Sequence, residues 1–175
     1  MDKECLSPGP GCGARLNVER VKIMVKDMRR IVQDGYEHDD YDKVFRADPV
    51  LRPMKIEFLD MLVQGLPKRA RILDFGSGAG IPYDRYLIGK ELRVIGVDFS
   101  SKHLSLAKKN VPQAEYIIGD FSKAGFPPEA FDAVTAFYSI FHLSRREHPA
   151  LFQKMHRWLK PGGRILLTLG TGDME

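Results

Sequence analysis

Arg71-Ile72-Leu73-Asp74-Phe75-Gly76-Ser77-Gly78-Ala79-Gly80-Ile81-Pro82 is a short apolar run that breaks into glycines at alternate positions and then reaches a proline. The run is too short for a helix and suits a strand buried on both faces of a parallel sheet. Gly76, Gly78 and Gly80 accept positive φ and carry no Cβ, so a ligand can approach the backbone closely. Pro82 fits the first turn of a helix whose free N–H groups point back over the glycines. Strand, glycine turn and helix start together form a cradle for a polar, nucleotide-like ligand.

Spacing narrows the ligand. The dinucleotide fingerprint G-x-G-x-x-G asks for glycine or alanine at its sixth position, where this chain has Ile81. A branched side chain there blocks the close approach of a pyrophosphate. The next apolar run, Leu92-Arg93-Val94-Ile95-Gly96-Val97-Asp98, ends in a carboxylate twenty residues after Gly78, the separation at which an acid meets ribose hydroxyls. The expected ligand therefore has a ribose and no pyrophosphate.

The glycine turn, Val94-Ile95-Gly96-Val97-Asp98-Phe99-Ser100, Gly119-Asp120-Phe121, Phe131-Asp132-Ala133-Val134 and Leu159-Lys160-Pro161-Gly162-Gly163 together resemble the ordered signature of class I S-adenosylmethionine-dependent methyltransferases. The resemblance covers roughly residues 36 to 172. It implies an α/β fold with a doubly wound, Rossmann-like parallel sheet of about five strands, lacking the final antiparallel pair of the family and preceded by N-terminal helices. It implies S-adenosylmethionine as cofactor and direct displacement of its methyl group by a small-molecule acceptor. Asp74 would support the turn, Gly76, Ser77, Gly78 and Gly80 would meet the methionyl part, and the Phe137 carbonyl would take the ammonium. No metal is called for.

Asp98 and Asp120 both close apolar runs, so both are expected at one carboxyl edge of the sheet. A carboxylate only accepts hydrogen bonds. Asp98 would take the ribose hydroxyls and Asp120 the adenine amine, with Phe99 and Phe121 sandwiching the ring; the alternative for Asp120 is a turn cap.

The chain has 175 residues, 43% hydrophobic and 29% charged, which fits one globular domain. The expected division is a flexible tail over residues 1–16, rich in Pro and Gly, and a single domain over 17–175 with lid helices across 17–66. No apolar run is long enough to span a bilayer. Met1 to Arg15 lacks the apolar stretch of a secretory signal, and the chain's cysteines are Cys5 and Cys12, so a reducing cytoplasm is expected. The net charge is +4, but Lys and Arg are dispersed and not interleaved with aromatics, which argues for a solvated surface and against a nucleic-acid partner.

Val18, Val21, Val25, Met28 and Val32 recur at helical spacing and Gly35 closes the pattern, predicting an amphipathic helix that covers the core or the cofactor site. Tyr36 and Tyr41 follow, open to packing or to an active-site role. A second helix is predicted from Asp48 and Pro49, burying Leu51, Met54, Phe58 and Leu62. A helix from Pro82 to Leu87 packs Tyr83 and Tyr86, and Ser100 caps another that carries Leu104 and Ala107. Ala114–Ile118 and Phe131–Phe137 are the third and fourth strands. Ser144-Arg145-Arg146-Glu147 has capping-box spacing, yet Pro149 would sit too deep in a helix begun there, so the helix is placed from Pro149.

Tyr138-Ser139-Ile140-Phe141-His142 follows the fourth strand and is the expected reaction edge. The catalytic residue is not identified. Candidates are His142, a general base or a hydrogen-bonded structural histidine, Tyr138 and Tyr36. The fifth strand, Arg164–Leu169, would be an apolar sheet edge, which predicts a homodimer through it. A fragment of a longer methyltransferase, a module that binds the cofactor without turnover, and a nicotinamide-dependent reductase are the competing readings.

Overall fold

A computed structural model describes residues 51–170, with side chains from Met54 onward. The tail, the helix after Asn17, Tyr36, Tyr41 and the Asp48-Pro49 helix start lie outside the described residues. Within them the chain forms α1 (Leu51–Val63), β1 (Arg71–Phe75), α2 (Tyr83–Gly89), β2 (Arg93–Asp98), α3 (Ser101–Asn110), β3 (Glu115–Ile118), β4 (Phe131–Ala136), α4 (His148–Trp158) and β5 (Leu159–Leu167). No helix among the described residues is long and apolar enough to cross a membrane.

The strands make one five-stranded sheet in the order β3-β2-β1-β4-β5, and every neighbouring pair is parallel. Alternation along β1 divides the core. Leu73 and Phe75 join Phe131, Leu151, Met155 and Trp158 on one face, while Ile72 joins Leu59, Leu62, Leu87 and Val94 on the other. Each of these side chains, once buried, stabilises the fold by roughly 1.5–3 kcal/mol. Strand order reverses direction between β1 and β4, and in an open α/β sheet the crevice outside the strand ends at that point is where ligands bind.

Three local departures from the sequence expectation have physical causes. The buried stripe of α1 is Lys55, Leu59 and Leu62, whereas Met54 and Phe58 are 42% and 44% exposed. Both sets have helical spacing, and the four-methylene stem of a lysine is apolar enough to occupy a core stripe. The helix before the last strand does start beside Pro149, but the capping-box pair is used too. Glu147 Oε2 accepts from the Ser144 N–H at 3.2 Å and closes a 3-10 turn over Arg145–Glu147. β5 begins at Leu159, bulges through Gly162 at φ +75°, and pairs regularly only from Arg164 to Leu167.

Candidate functional site

The glycine turn leaves β1 at Phe75 and is pinned to β2, where the Gly76 N–H donates to the Val97 carbonyl at 2.8 Å. Gly76, Gly78 and Gly80 all have positive φ, of 74°, 54° and 72°, yet they serve different neighbours. A Cβ on Gly76 would meet the Ser139 side chain, and one on Gly80 would meet the Tyr116 hydroxyl and Val111. Only at Gly78 would a Cβ find nothing within 4 Å. The expectation that all three clear space for a ligand is thus corrected for Gly80, which packs against Tyr116 and is not part of the cleft lining.

Asp98 closes β2 with its carboxylate under this turn. Its Oδ2 accepts from the Gly78 N–H at 2.9 Å and its Oδ1 from the Ser100 N–H at 2.8 Å. A carboxylate only accepts hydrogen bonds, and these backbone donors fix the orientation of Asp98 beneath the turn. Ser100 caps α3 by accepting from the His103 N–H at 3.1 Å.

Asp74, Gly76, Ser77, Gly78, Ile81, Asp98, Phe99, Phe121, Phe137, Tyr138 and His142 line one cleft, with an empty volume of about 880 Å³ that includes open solvent. The structure therefore gathers most of the residues singled out in the sequence. Asp120 departs from expectation. It closes β3 beside Asp98, since the Gly119 N–H donates to the Asp98 carbonyl at 2.9 Å, but its Oδ1 accepts from Ser122 N–H and Oγ–H at 2.9 and 2.6 Å. It caps a 3-10 turn at the rim and is not among the lining residues.

Sequence reasoning passed over Lys55 and His103, which also line the cleft, as do Tyr83, expected only to pack, and Ser139 of the expected reaction edge. Tyr83 packs on Phe137 with ring centroids 4.6 Å apart. Ser139 Oγ donates to the Phe75 carbonyl at 2.7 Å, tying the end of β4 to the start of the glycine turn. It also missed Asp84, which is 1% exposed on α2. A single acid in a short helix gives no pattern from which burial can be read.

Asp84 and Asp74 are hydrogen-bonded to each other beneath the turn, which requires a proton between two groups that otherwise only accept. Burial first, and then the neighbouring Asp84 charge, hold the Asp74 carboxyl well above the ordinary range, so Asp74 carries that proton. Without it, Asp84 Oδ1 has no donor. Burial raises Asp84 to about 6, opposed by its bonds to Asp74 and Tyr116. The Tyr116 hydroxyl donates to Asp84 Oδ2 at 3.0 Å and Thr135 Oγ1 donates to Asp74 Oδ1 at 2.6 Å. Residues from β1, α2, β3 and β4 are thereby fixed below the cleft.

His142 stands 4.5 Å from the Phe141 ring, and burial lowers its pKa, favouring the neutral imidazole. A neutral imidazole is the form that accepts a proton.

An open parallel sheet with a glycine turn and an oriented acid at its switch point defines a doubly wound α/β domain of the nucleotide-binding class. The chain belongs to the S-adenosylmethionine-dependent methyltransferase family, whose methyltransferase domain matches residues 72–163. It is 33% identical over 117 residues to phosphoethanolamine N-methyltransferase 3 of Arabidopsis thaliana, covering 64% of this chain and 23% of that protein. It is 31% identical over 129 residues to the 2-phytyl-1,4-naphtoquinone methyltransferase of Thermosynechococcus vestitus, covering 70% of this chain and 54% of that one. Phosphoethanolamine N-methyltransferase 2 of Haemonchus contortus, solved with S-adenosyl-L-methionine, superposes with a TM-score of 0.58 at 28% identity, over 68% of this chain and 30% of that one. The chain thus spans about a quarter to a half of the length of these relatives.

Proposed function

We propose that this chain binds S-adenosylmethionine in the cleft above Gly78 and transfers its methyl group to a small-molecule acceptor. The observation that carries this reading is the pairing of Gly78, open where a Cβ would stand, with Asp98, whose carboxylate is oriented by two backbone bonds in the same cleft. Asp98 accepts the ribose hydroxyls. Phe99 and Phe121 line the adenine side, Asp120 stands at its rim, and Asp74, Gly76, Ser77 and the Phe137 carbonyl hold the methionyl side. The bound sulfonium supplies an electrophilic methyl group whose leaving thioether needs no proton. The protein's work is alignment of the acceptor and exclusion of water. Tyr138 and His142 stand where an acceptor would approach, and a neutral His142 suits an acceptor that must lose a proton.

Ile81 lines the cleft at the sixth position of the glycine pattern, which supports adenosine over a pyrophosphate-linked dinucleotide. The scarcity of cysteine supports a reducing, cytoplasmic setting.

Calorimetric titration with S-adenosylmethionine, S-adenosylhomocysteine and NADH, followed by a radiolabelled methyl assay on a metabolite panel, tests the reading. Micromolar binding of both sulfur nucleosides with label transfer is the expected result. Binding without transfer to any acceptor marks a holding module, and binding of NADH alone overturns the assignment.

A further inference from the structure

Lys55 lies on the buried stripe of α1 and lines the cleft. It is 9% exposed, close to the 6% of Leu62 on the same stripe. Its Nζ is 3.8 Å from the Tyr138 ring centroid and 5.8 Å from that of Tyr83. All three residues line the cleft. Among the described residues, no carboxylate pairs with this ammonium.

Aromatic faces attract a cation, but they provide no oxygen for its three N–H donors. Two rings therefore recover only part of the cost of taking an ammonium out of water. Lys55 also lines the cleft, and an oxyanion there would supply the missing acceptors.

Position in the sheet indicates which ligand brings the oxyanion. Asp98, Phe99, His103 and Phe121 come from β2, α3 and the end of β3, on one side of β1. Lys55 comes from α1, which packs against β5, and Tyr138 from the end of β4, on the other side, where the ring of Tyr83 at the start of α2 meets Phe137. The adenosine end and the Lys55 end are thus separated by the glycine turn. We propose that Lys55, caged by Tyr83 and Tyr138, receives a carboxylate or phosphate group carried by the methyl acceptor. This inference rests on the methyltransferase reading of the same cleft. The carboxylate of the cofactor is the other source of the same chemistry, and the test separates the two.

The full chain is compared with Lys55→Met, which removes the charge and keeps the length, and Lys55→Arg, which keeps the charge. One arm measures dissociation constants for S-adenosylmethionine and its decarboxylated analogue. The other titrates inorganic phosphate and acetate into the S-adenosylhomocysteine-loaded chain, read from the amide resonances of Tyr83 and Tyr138. Expected are saturable shifts in the wild type, at least tenfold weaker anion binding in Lys55→Met, retention within threefold in Lys55→Arg, and cofactor affinities within threefold in all three. Intact cofactor binding also shows that the variants fold.

Anion binding that is absent in the wild type, or unchanged in Lys55→Met, overturns the proposal. A loss in Lys55→Met that falls on S-adenosylmethionine and spares the decarboxylated analogue also overturns it, assigning Lys55 to the cofactor. Failure of the wild type to bind any of the sulfur nucleosides overturns the methyltransferase reading, and this inference with it.

Discussion

At the carboxyl end of β2 the chain reads Asp98-Phe99-Ser100, and at the carboxyl end of β3 it reads Asp120-Phe121-Ser122. The two tripeptides begin alike. In each, the aspartate Oδ1 accepts from the serine N–H two residues on, at 2.8 and 2.9 Å, the local turn that short acidic side chains favour. Beyond that bond they diverge. Asp98 turns its second oxygen to the Gly78 N–H, while the second oxygen of Asp120 lies 3.5 Å from Lys123 Nζ at the surface. Phe99 is half-buried in the cleft, whereas Phe121 is buried and stacks on Phe75 at 5.1 Å.

The cause is the place of each strand in the sheet. β2 lies beside β1, so the glycine turn leans over its end; β3 is an outer strand whose one partner is β2. Identical local chemistry becomes a cleft-lining acid in one place and a turn cap in the other because of what stands next to it.

The largest test of this contrast concerns the two phenylalanines. Phe121→Ala should lower unfolding free energy by about 3–5 kcal/mol, the usual cost of emptying an aromatic site in a core, read in a denaturant titration. Phe99→Ala should leave the midpoint nearly unchanged and weaken S-adenosylhomocysteine binding. Equal stability losses would erase the distinction.

The acids beneath the glycine turn have no counterpart at the end of β3, and pH sharpens that difference. An acid whose folded pKa is raised favours folding while it is protonated. The stability that Asp84 confers is full below its unfolded value near 3.8 and is lost as pH rises through about 6. A rise of about two units corresponds to at most about 3 kcal/mol. Asp84→Asn keeps an acceptor for Tyr116 and gains a donor for Asp74. Melting curves from pH 4 to 8 should therefore show a flatter profile for Asp84→Asn and greater stability than the wild type at neutral pH. Parallel profiles would show that Asp84 does not titrate in this interval.

Next come the two aspartates. Asp98→Ala removes a charged acceptor and the restraint on Gly78. A charge-assisted hydrogen bond contributes about 1.5–3 kcal/mol, so cofactor binding should weaken roughly ten- to hundredfold by calorimetry. Asp120→Ala should cost about 1 kcal/mol of stability as a lost cap and change affinity by about threefold. Matching affinity losses would restore the symmetric pair expected from the sequence.

The weakest effect is expected at the far edge of the sheet, where Ile165 of β5 is 40% exposed. An exposed apolar edge strand is a template for pairing. Sedimentation should show concentration-dependent dimerisation that Ile165→Lys reduces, and a strictly monomeric wild type would exclude pairing there.

Much of this architecture was legible in the residues because the signals are local. Apolar runs with β-branched side chains marked all five strands. Pro149 limited the start of α4, and Ile81 and Asp98 stood at informative separations from the glycines. Other features depend on contacts between segments far apart in the chain, which spacing does not encode. Lys55 shares a helical stripe with Leu59 and Leu62, but a rival stripe through Met54 and Phe58 was equally regular, and only packing against the sheet selects one.

By itself, then, the sequence determined the strand–glycine turn–helix unit, the alternation that makes a parallel sheet, and the acid that closes β2. These follow from backbone conformation and from which residues water rejects. Only the tertiary structure decided that Gly78 alone of the three glycines opens on space, that Asp74 and Asp84 share a proton, that Asp120 caps a turn, and that Lys55 faces the cleft. Each of those outcomes depends on the distance between atoms brought together by the fold, and hydrogen bonding, desolvation and close packing act only at such distances.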